Sequence, residues 1–364
     1  MLFALMGNRL RGRYGVILVM NYIRHGFVSA FVLGWASLVG VQAGAVPNTW
    51  NSAHLPHAAT WRRHLEAPAS YAYEKRLDRY AAYDCGDFTV EAYRQANGPG
   101  TVQRTFLAVP KKASGKLPAV VVPFYFPEAM LGFNPADGGL NSPFCSPNTN
   151  LTFYAGVSFL ADLARRGYVT ISAEAYHLTY PPATSPTNNW SKWRHVGENL
   201  QKDWPSWTGM GKLVADTRLL VDALCADSRV DASRIGIIGH SLGGKMAFYT
   251  GLLDPRIKAV VVSDFGFFWE RSNWEAIWYW GDKLKSIQAE GLSHRDLLLG
   301  AREKPVLFLA GKYDNTPAFW EGLKTDPAFI SGVRRGVGSP QHRPTREAVA
   351  AAYDFLDEQV KNRP

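Results

Sequence analysis

A serine flanked by glycines, between an apolar run and a helical pattern, is the feature that most constrains the fold of this sequence. Residues 235–238 are apolar, residues 239–243 read Gly-His-Ser-Leu-Gly, and a helical pattern begins at Met246. Glycine permits a strained turn, and such small neighbours let the hydroxyl of Ser241 project outward. The dipole at the start of the next helix favours negative charge on that oxygen. The segment therefore predicts a buried strand, a sharp turn that exposes Ser241, and a helix.

Apolar strand-like runs alternate with helical patterns along most of the chain. Runs such as residues 117–126 and 257–263 are almost continuously apolar, as strands buried on both faces are. Helical spacing lies between them, for example at 212–226. We therefore predict an α/β fold with a mostly parallel central sheet and helices on both faces. The predicted strands are 101–109, 117–126, 168–172, 235–238, 257–263, 304–310 and 329–333.

The segments around these strands suggest how the chain is divided. Residues 46–100 are rich in Ala, Tyr, His and Arg, with helical spacing around 61–65 and over 71–83, which predicts an N-terminal helical extension ahead of a main domain over 101–364. Residues 175–210 contain four tryptophans and several prolines, as expected of an aromatic-rich insertion over the edge of the sheet. Helical spacing at 157–166 is followed by Gly167, and glycine favours the left-handed conformation that ends a helix.

The first 45 residues have the pattern of a secretory signal peptide. A basic pair at 24–25 precedes an apolar run over 27–41, and residues 43–45 supply the small side chains of a cleavage site. We expect cleavage after Ala45 and a secreted or periplasmic protein, and an uncleaved N-terminal anchor is the alternative. The apolar run is short for a membrane span, so no span is expected after cleavage.

Charge and cysteines limit the partners and the redox state. The formal net charge of +9 is not concentrated in a basic block, and four arginines lie within the first 45 residues. This distribution does not favour nucleic-acid binding, and none is expected. Cys225 lies on the apolar face of a helical pattern, which predicts a buried free thiol. Cys85 and Cys145 lie in loop-like sequence and could form a disulfide in an exported protein.

A serine hydroxyl is a weak nucleophile unless a base, itself oriented by an acid, activates it. His342 lies in a loop before the last helical pattern, from which it can reach back to Ser241. His294 lies in a polar helical stretch and is predicted to be at the surface. For the acid we predict Asp314, in the loop after the last-but-one predicted strand. The alternative is Asp264, at the end of the strand before that one.

Taken together, these residues resemble those of the α/β hydrolases, in particular the dienelactone-hydrolase and acetyl-xylan-esterase-like branch. The resemblance covers roughly residues 100–364, judged by the order of elements. It implies an α/β-hydrolase fold and cleavage of a carboxylic ester through an acyl-enzyme, with no metal or organic cofactor. The segments that carry it are 239–245, 311–314, His342, 165–168 and 254–258.

Hydrolysis of this kind needs two backbone N–H donors directed at the developing negative charge. We expect the N–H of Leu242, the residue after the serine, to be one of these oxyanion-hole donors. The second should come from the loop after the predicted strand at 117–126. We predict Tyr125 for this donor, with Phe126 as the alternative, because Pro127 has no N–H.

A small set of side chains could contact substrate. Lys245, four residues after the serine, also resembles a feature of glucuronoyl esterases, which recognise an acidic sugar, although those usually carry arginine where this chain has Leu242. The alternative is that Lys245 binds within the fold. Trp269 belongs to an aromatic-rich segment, and such rings either suit sugars and aryl groups or form the core of a lid. Glu174 and Glu128 could bind substrate hydroxyls or could be solvated loop acids.

Three functions remain open at this point. The first is an exported serine esterase that acts on a carbohydrate or small-molecule ester. The second is a serine peptidase of the prolyl-oligopeptidase type, which usually carries a large propeller domain that residues 46–100 are too few to form. The third is a non-catalytic binding protein of the same fold. Such proteins typically lack a member of the catalytic set, whereas all three positions are filled here.

Overall fold

The computed structural model describes residues 58–73, 76–112, 114–136, 158–181, 189–301, 303–325, 333–336 and 338–362. The signal peptide predicted over 1–45, and Cys145 as the predicted partner of Cys85, lie outside these ranges. Cys85 and Cys225 are free thiols, and both are half-buried, so Cys225 is less buried than predicted. No helix in the described ranges is long and apolar enough to cross a bilayer.

Nine strands of the described chain form one sheet. In chain order they are Leu77–Asp84 (β1), Phe88–Gly98 (β2), Thr101–Pro110 (β3), Leu117–Val121 (β4), Val169–Ala173 (β5), Val230–His240 (β6), Ile257–Ser263 (β7), Val306–Leu309 (β8) and Val333–Arg335 (β9). Across the sheet the order is β1-β2-β3-β5-β4-β6-β7-β8-β9. The six strands β4 to β9 run parallel, and β1, β2 and β3 add an antiparallel extension next to β5. The predicted mostly parallel sheet is confirmed.

The central strands are apolar because both of their faces are covered. Every residue of β5 and of β8 is buried, which accounts for the continuous apolar runs in the sequence. The run at 117–126 is shorter as a strand than predicted, because β4 ends at Val121. Pro123 follows and has no N–H with which to continue the ladder. The last predicted strand overlaps β9 only at Val333, and residues 329–332 lie outside the described ranges.

The helix predicted over most of 46–100 is wrong in the described part of that segment. Only Ala58–Leu65 (α1) is helical, and the chain then forms β1 and β2. Alanine, tyrosine and arginine at this spacing suit a helix locally. Pairing of β2 with β3 along its length satisfies backbone groups on both strands and buries Phe88 and Val90, so tertiary structure overrides the local preference.

Helices cover both faces of the sheet, as predicted. Alternate residues of a strand face opposite sides, and accordingly Val121 belongs to one apolar core and Val120 to the other. Gly167 has the left-handed conformation expected after a helix, with φ of +92°. The remaining α-helices are Pro127–Leu131 (α2), Phe159–Arg165 (α3), Tyr176–Thr179 (α4), Asn189–Asp203 (α5), Gly209–Ala226 (α6), Leu242–Leu253 (α7), Lys283–Ala289 (α8), His294–Gly300 (α9), Pro317–Thr325 (α10) and Arg346–Leu356 (α11). A 3-10 helix at Trp269–Arg271 and a π-helix at Asp357–Lys361 complete the helical elements of the described residues.

Helix α1 is joined to the core by Trp61. The indole ring is fully buried, and its centroid lies 5.6 Å from that of Tyr249 and 6.3 Å from that of Trp280. The hydroxyl of Thr208, at the start of α6, donates a hydrogen bond to the carbonyl of His64 at 3.1 Å. Helix α1 is therefore part of the packed body of the protein.

Replacement of Trp61 tests this packing. We expect Trp61→Ala to lower the free energy of unfolding by about 3–5 kcal/mol, because it leaves a cavity among aromatic rings. Arg63→Ala on the same helix is the control, since the Arg63 side chain is 63% exposed and its ion pair with Glu290 should contribute at most about 1 kcal/mol. Urea unfolding followed by circular dichroism measures both. Equal small losses would contradict the integral position of α1.

Candidate active site

The serine segment forms the strained strand-to-helix turn predicted from its glycines. Strand β6 ends at His240, and α7 begins at Leu242. Between them Ser241 has φ of +56° and ψ of −117°, a conformation that few residues other than glycine adopt. A Cβ added to Gly239 would lie 2.0 Å from the carbonyl oxygen of Gly243. The turn therefore closes too tightly to admit a side chain at Gly239.

His342 reaches Ser241, as the sequence predicted. It lies in the loop before α11, and its Nε2 is 3.0 Å from Oγ of Ser241. Its other ring nitrogen, Nδ1, lies 2.6 Å from Oδ2 of Asp264. A carboxylate can only accept a hydrogen bond, so the proton belongs on Nδ1 and Nε2 is left to accept from the serine hydroxyl. This tautomer suits a general base.

The predicted partnership of His342 with Asp314 is wrong, and Asp264 takes that position. The Asp314 carboxylate points to the chain after β7, where its oxygens accept from the N–H groups of Phe265 at 2.9 Å and Phe267 at 2.6 Å. Both acids follow strands next to β6 or one strand away, so strand order alone does not distinguish them. Hydrogen bonds to backbone N–H groups do distinguish them, because the N–H groups of Phe265 and Phe267 hold the Asp314 carboxylate away from the histidine.

Asp264 is held in an unusual conformation at the end of β7. Its φ is +41°, and its side chain is only 1% exposed. Oδ1 accepts hydrogen bonds from three backbone N–H groups in the loop after β8, those of Gly311 at 3.1 Å, Tyr313 at 2.8 Å and Asp314 at 2.9 Å. A buried carboxylate needs such partners. With Oδ1 occupied in this way, Oδ2 is the oxygen that meets His342.

Burial is the main cause of the pKa shifts of two groups near the serine turn, Asp314 and Lys245. It raises the pKa of Asp314 to about 6, and the nearby Asp264 carboxylate adds to this effect. Burial also lowers the pKa of Lys245 to about 7, while the charges of Asp314, Glu275 and Asp264 oppose that shift. The Asp314 carboxyl and the Lys245 amine, each with a pKa shifted by burial toward its neutral form, thus lie within the protein close to Asp264.

The structure brings both predicted oxyanion-hole segments to the serine turn. Leu242 occupies the first position of α7, where a backbone N–H has no partner within its own helix. The loop after β4 approaches closely, because a Cβ added to Gly243 would lie 2.0 Å from the carbonyl oxygen of Pro123. Tyr125 follows in this loop, and its carbonyl accepts from the N–H of Ala175 at 2.9 Å. The donor roles of Leu242 and Tyr125 stay predictions.

Lys245 is used within the fold, which is the alternative stated for it above. It is buried, and its Nζ donates to the carbonyl of Phe265 at 2.6 Å and to the hydroxyl of Ser272 at 2.8 Å. The same ammonium group lies 3.5 Å from the centroid of the Trp274 ring. These contacts hold the segment after β7 in place. They engage the ammonium group within the fold, so the position of Lys245 does not support the substrate-binding role predicted for it.

Glu174 and Glu128 are not solvated loop acids. Both bind Arg104 of β3: Glu174 Oε1 accepts from its Nε at 2.8 Å, and Glu128 Oε1 accepts from a terminal nitrogen at 2.5 Å. Glu174 also accepts from the backbone N–H of Arg104 at 3.0 Å. The predicted contact of Glu174 with substrate therefore competes with an ion-pair cluster that links β3, the end of β5 and α2.

An aromatic cluster follows β7, as the sequence indicated, and His294 lies inside it. The expected surface position of His294 is wrong: the side chain is buried, with Nε2 2.5 Å from the Tyr249 hydroxyl and Nδ1 against the Phe267 carbonyl. Trp269 is half-buried, and its ring centroid is 3.9 Å from that of His294. The polar residues next to His294 in the sequence do not reveal that aromatic rings from distant segments enclose its side chain.

A second series of aromatic rings leads from the surface to the loop after β4. Trp190 of α5 is 57% exposed, and its ring centroid lies 4.9 Å from that of Trp193. Trp193 stacks on Tyr125, with centroids 4.8 Å apart and an interplanar angle of 13°. Next to this pair is His177, whose pKa burial lowers to about 3. The sequence marked this insertion as aromatic but missed the buried histidine.

Sheet order, serine turn and histidine position together define a protein with the α/β-hydrolase fold. The sequence model of the dienelactone hydrolase family matches residues 156–317, which include the serine turn, and this confirms the resemblance inferred from the sequence. Comparison with curated protein sequences gives no match.

Solved structures of esterases share this fold at low sequence identity. A glucuronoyl esterase from Solibacter usitatus is 14% identical, with a TM-score of 0.56 over 82% of this chain and 90% of that one. A promiscuous esterase from a marine bacterial metagenome is 11% identical, with a TM-score of 0.54 over 83% and 90%. A candidate acetyl xylan esterase from Bacteroides fragilis is 14% identical, with a TM-score of 0.53 over 70% of this chain and 66% of that one. At these identities the likeness establishes the fold alone.

The buried His294 predicts a component of the response to acid. Burial lowers its pKa from 6.5 to about 3, so between these values the unfolded chain binds one more proton than the folded one, and stability rises with pH. We expect His294→Gln to reduce the slope of unfolding free energy against pH by up to about 1.4 kcal/mol per pH unit between roughly pH 4 and 6. Urea unfolding at a series of pH values measures the slope.

His195→Gln is the matched control for this experiment. The His195 side chain is 38% exposed, whereas His294 is buried, so this variant should change the slope much less than His294→Gln does. If His294→Gln keeps the wild-type slope, the imidazole of His294 is not held neutral by burial.

Proposed function

We propose that this protein is an exported serine esterase that cleaves a carboxylic ester of a carbohydrate or small molecule through an acyl-enzyme. One observation carries the proposal: Ser241, His342 and Asp264 form a continuous hydrogen-bonded series, with 3.0 Å between the first pair and 2.6 Å between the second. Serine nucleophiles are activated by this arrangement in unrelated folds.

In the proposed reaction, Oγ of Ser241 attacks the ester carbonyl carbon while Nε2 of His342 takes the hydroxyl proton. Asp264 accepts from Nδ1–H throughout, which favours the imidazolium formed in this step. Backbone N–H groups of Leu242 and Tyr125 are the proposed donors to the oxyanion. Collapse of the tetrahedral intermediate expels the alcohol, which receives the proton from His342. Water, deprotonated by the same nitrogen, then attacks the acyl carbon. The second tetrahedral intermediate expels Oγ of Ser241, which regains the proton from His342 as the acid leaves.

The substrate class is inferred from the structural relatives and from two tryptophans. Two of the structural relatives are described as a glucuronoyl esterase and a candidate acetyl xylan esterase, and both names denote esters of carbohydrates. The exposed Trp190 and the half-buried Trp269 are flat apolar surfaces of the type that pack on sugar rings. Export is proposed on the pattern of the first 45 residues alone.

A fluorophosphonate probe tests the proposal. We expect one label per folded chain, located at Ser241 by peptide mass spectrometry, since the probe reacts with an activated serine. Ser241→Ala should not label, and His342→Ala should label far more slowly because the base is lost. A screen of acetylated xylan, glucuronoyl esters and p-nitrophenyl acyl esters then identifies the substrate.

Ser263 provides an internal comparison, since it is buried and its hydroxyl lies 3.0 Å from a ring nitrogen of His240. It should remain unlabelled. Absence of labelling at Ser241 in folded wild-type protein would instead favour a non-catalytic binding protein, and hydrolysis of peptides in preference to esters would favour a peptidase.

A further inference from the structure

Two carboxylates bind each other's loops at the C-terminal edge of the sheet. Asp264, after β7, accepts three backbone N–H groups from the loop after β8. In the reverse direction Asp314, in the loop after β8, accepts the N–H groups of Phe265 and Phe267 after β7. The N–H of Asp314 is itself one of the three donors to Asp264, at 2.9 Å. The two loops are thus joined in both directions.

The hydrogen bond from the N–H of Phe265 to the Asp314 carboxylate constrains the backbone at Asp264. The N–H of Phe265 belongs to the peptide group that leaves Asp264, so fixing this N–H fixes the backbone on the C-terminal side of Asp264. That residue has φ of +41°, which a residue with a side chain adopts only where its surroundings hold it. The second bond, from Phe267, secures the same turn two residues further on.

The Asp314 carboxylate is used within the fold. Asp314 is only 1% exposed, which leaves its carboxylate out of reach of a substrate. Burial raises its pKa to about 6, so retaining a carboxylate here carries a cost. The Nε1–H of Trp320 donates to the Asp314 carbonyl at 3.0 Å and fixes the backbone from which the carboxylate extends.

We propose that Asp314 is a positioning residue, which holds the turn at Asp264 through the N–H groups of Phe265 and Phe267 and so keeps Oδ2 of Asp264 on Nδ1 of His342. The inference rests on the proposed function, because its effect on turnover passes through the same serine, histidine and acid. It gives the second acid a role other than direct contact with the histidine.

A double-mutant cycle tests this role with p-nitrophenyl acetate as the substrate. Asp264→Asn should lower kcat by about 10⁴. Asp314→Asn should lower kcat by roughly 10- to 100-fold with KM changed little, because misplacement of a catalytic group by about 1 Å has a cost of this order. In the Asp264→Asn background, Asp314→Asn should have almost no further effect, since the residue through which it acts is already lost.

Asp254→Asn is the matched control. Asp254 is equally buried and also accepts a backbone N–H, that of Arg256 at 3.0 Å, but it precedes β7 at the opposite edge of the sheet. This variant should lose stability and keep the wild-type kcat. Should Asp314→Asn fail to fold because its new amide N–H₂ opposes the backbone donors, Asp314→Ser keeps one acceptor oxygen and should show the same non-additivity.

Multiplicative effects of the two substitutions would overturn the proposal. A second result would also overturn it: kcat nearly unchanged in Asp264→Asn but lowered about 10⁴-fold in Asp314→Asn. Asp314 would then be the acid that orients His342.

A resonance of the Nδ1 proton of His342 separates this proposal from the proposed function. The proton NMR signal should shift in Asp314→Asn and stay in place in Asp254→Asn, whether or not any ester is hydrolysed. An unshifted signal in both variants overturns the positioning role even in an active enzyme. A shifted signal in a protein that neither hydrolyses esters nor reacts with the fluorophosphonate retains it and refutes only the esterase.

Discussion

The buried carboxylate of Asp264 is the group on which the arrangement of the site depends. Removing a charge from water is costly unless hydrogen bonds replace the lost hydration, and here three backbone N–H groups and His342 supply them. Because three of these donors come from the loop after β8, that loop cannot move without loosening the carboxylate. The position of the histidine, and through it the environment of Ser241, is therefore tied to the packing of two loops.

The parallel sheet makes this meeting of loops possible. Strands β6, β7 and β8 are neighbours, so the serine turn and the two acidic loops emerge side by side at one edge. The last loop, which carries His342, is brought over them, where the N–H of Lys312 donates to the carbonyl of Gln341 at 3.1 Å. Aromatic rings pack against these loops, as Phe248 does against Phe265, with ring centroids 5.0 Å apart. Rigid strands thus position a site made almost entirely from loop residues.

Features with a local cause could be predicted from the sequence. The turn at Ser241 follows from glycines that no side chain could replace, and the parallel sheet follows from continuous apolar runs. His342 could be found because it is a loop histidine after the serine and before the last helix. For the turn and the strands the physical constraint lies within a few residues of the feature, whereas His342 is identified by its place in the chain order.

Features that depend on distant partners could not be predicted in this way. The choice between Asp264 and Asp314 is made by backbone N–H groups about 50 residues away along the chain, and strand spacing carries no signal for it. The burial of His294 depends on Tyr249 and Phe267, which its polar neighbours conceal. The strand Leu77–Asp84 likewise depends on pairing with β2, against the helical spacing of residues 71–83.

The geometry of the two acids is tested most directly by a crystal structure of the protein after fluorophosphonate labelling of Ser241. We expect Nδ1 of His342 to lie within hydrogen-bonding distance of Oδ2 of Asp264, while the Asp314 carboxylate still accepts from the N–H groups of Phe265 and Phe267. A labelled structure in which His342 turns to Asp314, with Asp264 released from the loop after β8, would contradict this assignment of the two acids.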